Sequence, residues 1–289
     1  MTLTQLQIFK IVVELKSFTL AASQLGISQS AVSHAIKSLE KDLNVVLFHR
    51  EQNQITLTAI GETMLPHIRT MLSLHDLLYQ EANASNGLKK GIVRIGSFGP
   101  TASSRILPIL LAEFRAQFPY IEIQVDEGDD ASVAQWLLDQ RIDIGFVTLP
   151  DERFETWPVL QDQWVAILPH QHSLATQSAV TLKDLTKYPF NLTGAGSGEK
   201  ILQLFRDQKL SPNIRFRTLQ LLSTLSLVER GEAVSIVAES AIPDGANIII
   251  KPLLPKVERT VAIAVMNQTQ LSPASSQFLE MVRKRFTLK

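Results

Sequence analysis

Two helical patterns meet at a single glycine between residues 17 and 43, and that joint restricts the local fold more than any other feature of the chain. The first follows Ser17 and places Leu20, Ala21, Ala22 and Leu25 on one face, and Gly26 stops it. Glycine enters the left-handed backbone of a helix C-terminus without a steric cost. The second opens behind Ser28, a residue type that caps helix N-termini, and repeats apolar residues at Ala31, Val32, Ala35, Ile36, Leu39 and Leu43. Helices joined so tightly must cross closely. Ala22 therefore has to be small, and Ile27 and Val32 are expected to plug the joint. Upstream, Thr4 stands as the cap of a helix carrying Leu6, Phe9, Ile11, Val12, Val13 and Leu15.

Downstream, two short β-like runs, Val45 to Phe48 and Ile55 to Leu57, flank the polar stretch from His49 to Gln54. That is the strand–loop–strand of a wing. A helix–turn–helix presents its second helix to the DNA major groove. The outer face of that helix carries Gln29, Ser30, Ser33, His34 and Lys37, with Gln29, Ser33 and Lys37 four apart in one stripe. Glutamine pairs with adenine, and serine and histidine offer donors or acceptors to base edges. Lys37 and Arg50 suit phosphates, which fix position without reading sequence. The plainer alternative is the polar face of an ordinary three-helix bundle, and the wing weighs against it. Charge does not help. The chain has 28 basic and 28 acidic residues, and residues 1–90 contain eight Lys/Arg and seven Asp/Glu. DNA-binding domains are often visibly basic, so the motif carries the reading alone.

Three stretches, Ser17-Phe18-Thr19-Leu20-Ala21-Ala22-Ser23-Gln24-Leu25, Ser28-Gln29-Ser30-Ala31-Val32-Ser33-His34-Ala35-Ile36-Lys37-Ser38-Leu39-Glu40, and Leu47-Phe48-His49-Arg50 with Leu57-Thr58-Ala59-Ile60-Gly61, together resemble the N-terminal signature of LysR-type transcriptional regulators. The resemblance is dense over about residues 1–65 and continues beyond them as one of layout. It implies that the third helix enters the major groove, with Gln29, Ser30, Ser33, His34 and Lys37 facing DNA and Arg50 at the wing. Family members commonly have proline where Ser30 stands and arginine where His34 stands, so the base contacts here should differ. The resemblance also implies an imperfect palindrome of the T-N11-A kind as the site. It implies antiparallel pairing of linker helices into dimers of dimers, and an effector bound between two lobes like those of periplasmic binding proteins.

Thr58 caps a helix of about thirty residues whose stripe is Ile60, Met64, Leu65, Ile68, Met71, Leu72, Leu74, Leu77 and Leu78, with Pro66 expected to kink it mildly. Such a stripe needs a partner, either its own domain or another subunit. The resemblance favours a homodimer or dimer of dimers. Residues 83–90 read as a linker. From residue 91 strand and helix patterns alternate, implying parallel sheets covered by helices. The expected fold is therefore multidomain. An α-rich winged helix-turn-helix (1–58) is followed by a linker helix and hinge (59–90) and an α/β two-lobed effector domain (91–289). Lobe I is placed at about 91–161 and 267–289 and lobe II at about 162–266, with crossovers near Leu160 to Trp164 and Val265 to Gln268.

Parallel α/β sheets bind ligands beyond the carboxyl ends of their strands. Two hydroxyl- and glycine-rich loops occupy that place, Ser97 to Ser104 and Thr193 to Glu199, each opening a helix. Free N–H groups at helix N-termini attract anions. Ser97, Phe98, Pro100, Thr101, Thr148, Thr193, Gly194 and Ser197 are the candidate effector-binding residues, for a small organic anion or an amino acid. The same residue types also serve as plain caps and turns, which leaves open a regulator whose lobes only assemble. Phe98 reads as a cleft wall or as core, and Glu199 either already satisfies the dipole of its own helix or favours a cationic or amino-bearing ligand. The acidic run Asp126-Glu127-Gly128-Asp129-Asp130 reads as a solvated loop after a strand.

Other chemistry finds no footing. The chain contains no cysteine, which excludes disulfides and thiolate zinc sites. His170 and His172 stand alone, and no HExxH, GxSxG or P-loop spacing occurs. The expectation is no catalytic residue, no metal and no cofactor. A solute-binding receptor would leave the helix-turn-helix without a purpose. The N-terminus lacks a signal-peptide pattern and no apolar run approaches a membrane span, so a cytoplasmic protein with double-stranded DNA as partner and no membrane contact is expected.

Overall fold

A computed structural model of the protein describes residues 1–51, 54–84, 91–194 and 198–287. The chain falls into two units, Met1–Ser85 with Asp139–Arg141, and Asn86–Leu138 with Ile142–Lys289.

In the first unit, α1 (Leu3–Leu15) starts from a reciprocal capping box between Thr2 and Gln5, one half-turn before Thr4. Ser17 caps α2 (Phe18–Leu25) by accepting from the Leu20 N–H, and Gly26 ends it at φ +64°. Ser28 caps α3 (Gln29–Leu43) by accepting from the Ala31 N–H. Ala22 and Val32 are buried at the crossing, with Leu6, Phe9, Val12, Ile36 and Leu39 in the same core. Ile27 does not plug the joint: it is 42% exposed, because it lies in the turn between Gly26 and the Ser28 cap, off the inner face of either helix. The wing is the antiparallel pair β1 (Phe48–Glu51) and β2 (Gln54–Leu57), with Phe48 opposite Leu57 and Arg50 opposite Ile55. Thr58 joins the wing to α4 (Ala59–Ala84), donating its hydroxyl to the Val46 carbonyl at 2.7 Å and accepting from the Gly61 N–H at 3.1 Å. Gly61 has no room for a side chain, since a Cβ there would run into the Leu47 carbonyl oxygen. Only part of the α4 stripe is covered. Ile68 and Leu72 are buried, while Met71, Leu74, Leu78 and Tyr79 are exposed.

The second unit is built on a six-stranded sheet of order β4-β3-β5-β10-β6-β9 and a two-stranded sheet, β7-β8. Its strands are β3 (Gly91–Phe98), β4 (Ile121–Gly128), β5 (Ile144–Thr148), β6 (Glu155–Leu168), β7 (Phe190–Thr193), β8 (Ile214–Thr218), β9 (Ser235–Ala238) and β10 (Ile249–Val265). Its helices are α5 (Leu107–Gln117), α6 (Asp130–Leu138), α7 (Leu182–Leu185), α8 (Gly198–Asp207), α9 (Leu221–Glu229) and α10 (Pro273–Thr287), and a π-helical turn, Thr101–Ile106, leads into α5. The expected parallel pairing holds for β3 with β4 and β5, and for β7 with β8. The large sheet is nevertheless mixed, because β6 and β10 are long antiparallel strands that each pass through both lobes. β10 crosses into lobe I earlier than the expected 162–266 limit of lobe II allows. Val261 to Ala264 already pair with β5, and Val261 to Val265 lie in the lobe I core with Phe114 and Phe278. The second crossover is therefore the stretch Val257 to Val261, opposite Leu160 to Trp164, and not Val265 to Gln268. Lobe II has its own core around Leu168, Phe190, Phe205 and Ile236.

Candidate DNA-reading face and effector cleft

Burial of Val32, Ile36 and Leu39 turns the opposite face of α3 outward. Gln29, Ser30, His34 and Lys37 are exposed on it, and Ser33 is half-buried beside them. Gln29 and Ser30 occupy the first turn, the part of a recognition helix that reaches base edges in helix-turn-helix proteins. The Ser30 and Ser28 hydroxyls lie 2.9 Å apart, which orients Ser30 next to the cap. Arg50 lies on β1, and its side chain lies outside the described residues.

In the second unit, the loop after β3 meets the crossover strands. Thr101 is buried, and its hydroxyl accepts from Arg259 Nη2 at 2.9 Å and lies 3.0 Å from the Ser240 hydroxyl. Arg259 and Asp162 are opposite one another on β10 and β6 and bond bidentately, at 2.7 and 2.8 Å. Ser240 also donates its hydroxyl to Asp162, and the guanidinium stacks over Trp164 at 5.2 Å. The cavity here, lined by Phe98, Pro100, Thr101, Trp164, Thr193 and Arg259, measures only about 20 Å³. That is too small for an organic effector.

Larger hollows lie alongside. One of about 710 Å³ includes Asp130, Thr148, Gly194 and Lys200 in its lining, and one of about 450 Å³ includes Pro100, Glu127, Gly194 and Leu222. In the first, Lys200 Nζ donates to the Thr148 carbonyl at 3.0 Å and lies 3.6 Å from Asp130 Oδ2, which accepts from the Thr148 hydroxyl at 3.2 Å. Burial pushes the Asp130 pKa up to about 6, against the opposing pull of Lys200, the Thr148 hydroxyl and Arg259. Burial likewise lowers the Lys200 pKa, while Asp130 works to raise it.

The structure thus gathers Phe98, Pro100, Thr101, Thr148, Thr193 and Gly194 along one cleft. Ser97 is not among the lining residues: it is fully buried, with its hydroxyl 2.9 Å from that of Ser103. Phe98 belongs to the lobe I core and also lines the small cavity. Ser197 lies outside the described residues. Glu199 is exposed and paired with Arg206 along its own helix.

Residues 3–62 match the family model for the bacterial regulatory helix-turn-helix protein of the lysR family, and residues 86–287 match that of the LysR substrate binding domain. The chain belongs to the LysR family of transcriptional regulators. It is similar to the uncharacterized HTH-type transcriptional regulator YvbU of Bacillus subtilis (strain 168), 34% identical over 99% of both chains. Among solved structures it is similar to HinK of Pseudomonas aeruginosa, at 27% identity and TM-score 0.59 over 99% of this chain and 98% of that one. It also shares the fold of CbnR, solved in complex with its target DNA, at 24% identity and TM-score 0.65 over 98% and 99% of the two chains.

As a LysR-family member the chain is a DNA-binding regulator with a substrate-binding domain, not an enzyme. Among the described residues no cluster of three His, Asp or Glu is placed to hold a metal, and no helix is long and apolar enough to cross a membrane. Sequence reasoning missed Asp130, Lys200, Asp162 and Arg259. Asp130 does not sit in a solvated loop. Glu127 and Gly128 still belong to β4, and Asp130 opens α6 largely buried beneath Thr148 and Lys200. For Arg259 one signal existed, a lone arginine two residues before the apolar run Val261 to Val265.

Proposed function

We propose that this LysR-family regulator binds a partly palindromic promoter site as a homodimer or dimer of dimers and is modulated by a small effector, an organic anion or amino acid, in the cleft between its lobes. The observation that carries the DNA reading is the outer face of α3. Gln29, Ser30, His34 and Lys37 are exposed on it, and the core on its other side leaves them no structural duty. Gln29, Ser33 and His34 face base edges, and Lys37 with Arg50 contacts phosphates. The exposed Met71, Leu74 and Leu78 of α4 support subunit pairing, since an amphipathic helix with an uncovered stripe gains by burying it. The hollow between lobes supports the effector reading, because its volume suits a small metabolite.

Fluorescence anisotropy with the regulator's own promoter fragment tests the DNA arm. Gln29→Ala should weaken specific binding by about 1–3 kcal/mol and relax sequence preference. Lys37→Ala should weaken all sequences alike and reduce the salt slope by about one phosphate contact. Equal loss of specific and non-specific binding in Gln29→Ala would overturn the assignment of base reading to this face.

A further inference from the structure

In the hollow of about 710 Å³, an ammonium group from one lobe rests on acceptors of the other. Lys200 of α8 reaches the Thr148 carbonyl at the end of β5 and the Asp130 carboxylate at the start of α6. The carboxylate is poorly used. Lys200 stands 3.6 Å from Oδ2, beyond a good hydrogen bond, and Oδ1 is buried with no hydrogen-bond partner among the described residues. A carboxylate offers about four acceptor sites, so the buried Oδ1 holds unspent capacity where that is costly, while the Lys200 side chain, 42% exposed, can give its spare donors to water.

The surroundings select for positive charge. Among the described residues the hollow is lined by Asp129, Asp130, Asp151, Glu152 and Glu199 together with Lys200 and Arg153; Asp151 is paired with Arg153 and Glu199 with Arg206, which leaves Asp129, Asp130 and Glu152 facing Lys200. An organic anion entering there would meet more carboxylate than cation. A ligand ammonium would meet acceptors already arranged for one.

We propose that Asp130 and the Thr148 carbonyl form an ammonium-recognition site, filled in this structure by Lys200 of the opposite lobe, and that the effector is a primary amine or an amino acid whose ammonium displaces Lys200. This rests on the cleft being the effector site and narrows its ligand class. The exchange keeps one positive charge beside Asp130 throughout, so the buried carboxylate is never left alone. The displaced lysine returns its ammonium to water on a long flexible stem. Because Lys200 ties lobe II to lobe I, the exchange also gives the ligand a differential grip on two lobe arrangements, which any ligand-driven change requires.

Chemical rescue of the full-length protein tests the site. Lys200→Ala vacates it, and n-butylammonium chloride supplies the missing group, with tetramethylammonium chloride at equal ionic strength as a cation without N–H donors. Butylammonium should raise the Tm of Lys200→Ala saturably by several degrees. Wild type should need about tenfold more for the same rise, because its own lysine competes. Lys200→Ala/Asp130→Asn should show no rise. Lys200→Met, which keeps the apolar stem, repeats the test should the alanine variant fold poorly. A rise of equal size with tetramethylammonium, or one that survives Asp130→Asn, overturns the proposal. Succinate separates it from the reading beneath it. If succinate stabilises wild type and butylammonium rescues neither lysine variant, the cleft stands and the ammonium site falls. If neither probe stabilises any variant, both fall.

Discussion

Arg259 carries a buried guanidinium, 3% exposed in its side chain, at the crossover between the lobes, and Asp162 beneath it is 7% exposed. Removing one partner of such a pair leaves the other charged and dry, which costs about 3–5 kcal/mol, whereas replacing both with apolar residues is often nearly neutral. Arg259→Met should therefore lower the urea unfolding free energy by about that amount, and Arg259→Met/Asp162→Leu should recover most of it. Equal losses in the single and double variants would mean that packing over Trp164, not charge, sets the cost. Asp130 yields a prediction in pH. An acid whose folded pKa lies above its unfolded value binds more protons folded than unfolded, so stability falls as pH rises between the two. For Asp130 that window runs from 3.8 to about 6, worth on the order of 3 kcal/mol. Asp130→Asn removes it. The stability of the variant relative to wild type should thus climb across that window and level off above it. Asp151, lowered by its hydrogen bond from Arg153, and Asp184, lowered by that from Thr181, act in the opposite sense in both proteins and cancel in the subtraction. A flat difference would show that Asp130 is not desolvated in solution.

Elements set by local chemistry are legible in the sequence. Ser17, Gly26 and Ser28, and Thr58 as acceptor for the Gly61 N–H, act on backbone groups within a few residues of themselves, so these caps and stops can be read directly, whereas the bond from Thr58 to the distant Val46 carbonyl cannot. β6 and β10 are not legible as single strands. Each serves two cores, and β10 is interrupted by a register shift between Pro252 and Val257, so it reads as separate short runs. The pairing of Asp162 with Arg259 spans 97 residues and exists only once those strands align. The hydroxyl- and glycine-rich stretches Ser97 to Ser104 and Thr193 to Glu199 stand out in the sequence as candidate ligand loops. Asp130 does not, because an acidic run looks solvated until Thr148 and Lys200 arrive from other elements to cover it. α4 lies between these cases: its stripe is plain, but which part of it stays uncovered depends on the packing of α1 and the wing. Leu74 is half-exposed and Leu78 more so, while Ile68 is buried. Leu74→Asp should consequently leave the circular dichroism spectrum and the fold intact while shifting sedimentation toward smaller species. Ile68→Asp should lower the Tm of the helical unit itself. Unchanged sedimentation of Leu74→Asp would remove α4 from the subunit contact.

At the scale of the whole chain, the cores are drawn from separate stretches: Leu6 to Leu72 supply one, and Val93 to Val282 supply the others. Cooperative unfolding follows a shared core, so calorimetry of the full chain should resolve two transitions, the smaller belonging to the DNA-reading unit. A ligand of the cleft at a hundred times its dissociation constant adds about 2.7 kcal/mol to the unit that binds it. The larger transition should rise with ligand, and an operator duplex should raise the smaller. Regulation requires more than two independent gains. If cleft occupancy changes operator affinity by some factor, the operator must change cleft affinity by the same factor, because the two routes to the doubly bound protein share their end points. Titrating the cleft ligand with and without saturating operator measures that factor from one side, and titrating operator with and without ligand measures it from the other. Agreement at a factor well away from one makes the cleft a regulatory site. A factor of one from both sides, with both ligands bound, would reduce the lobes to assembly.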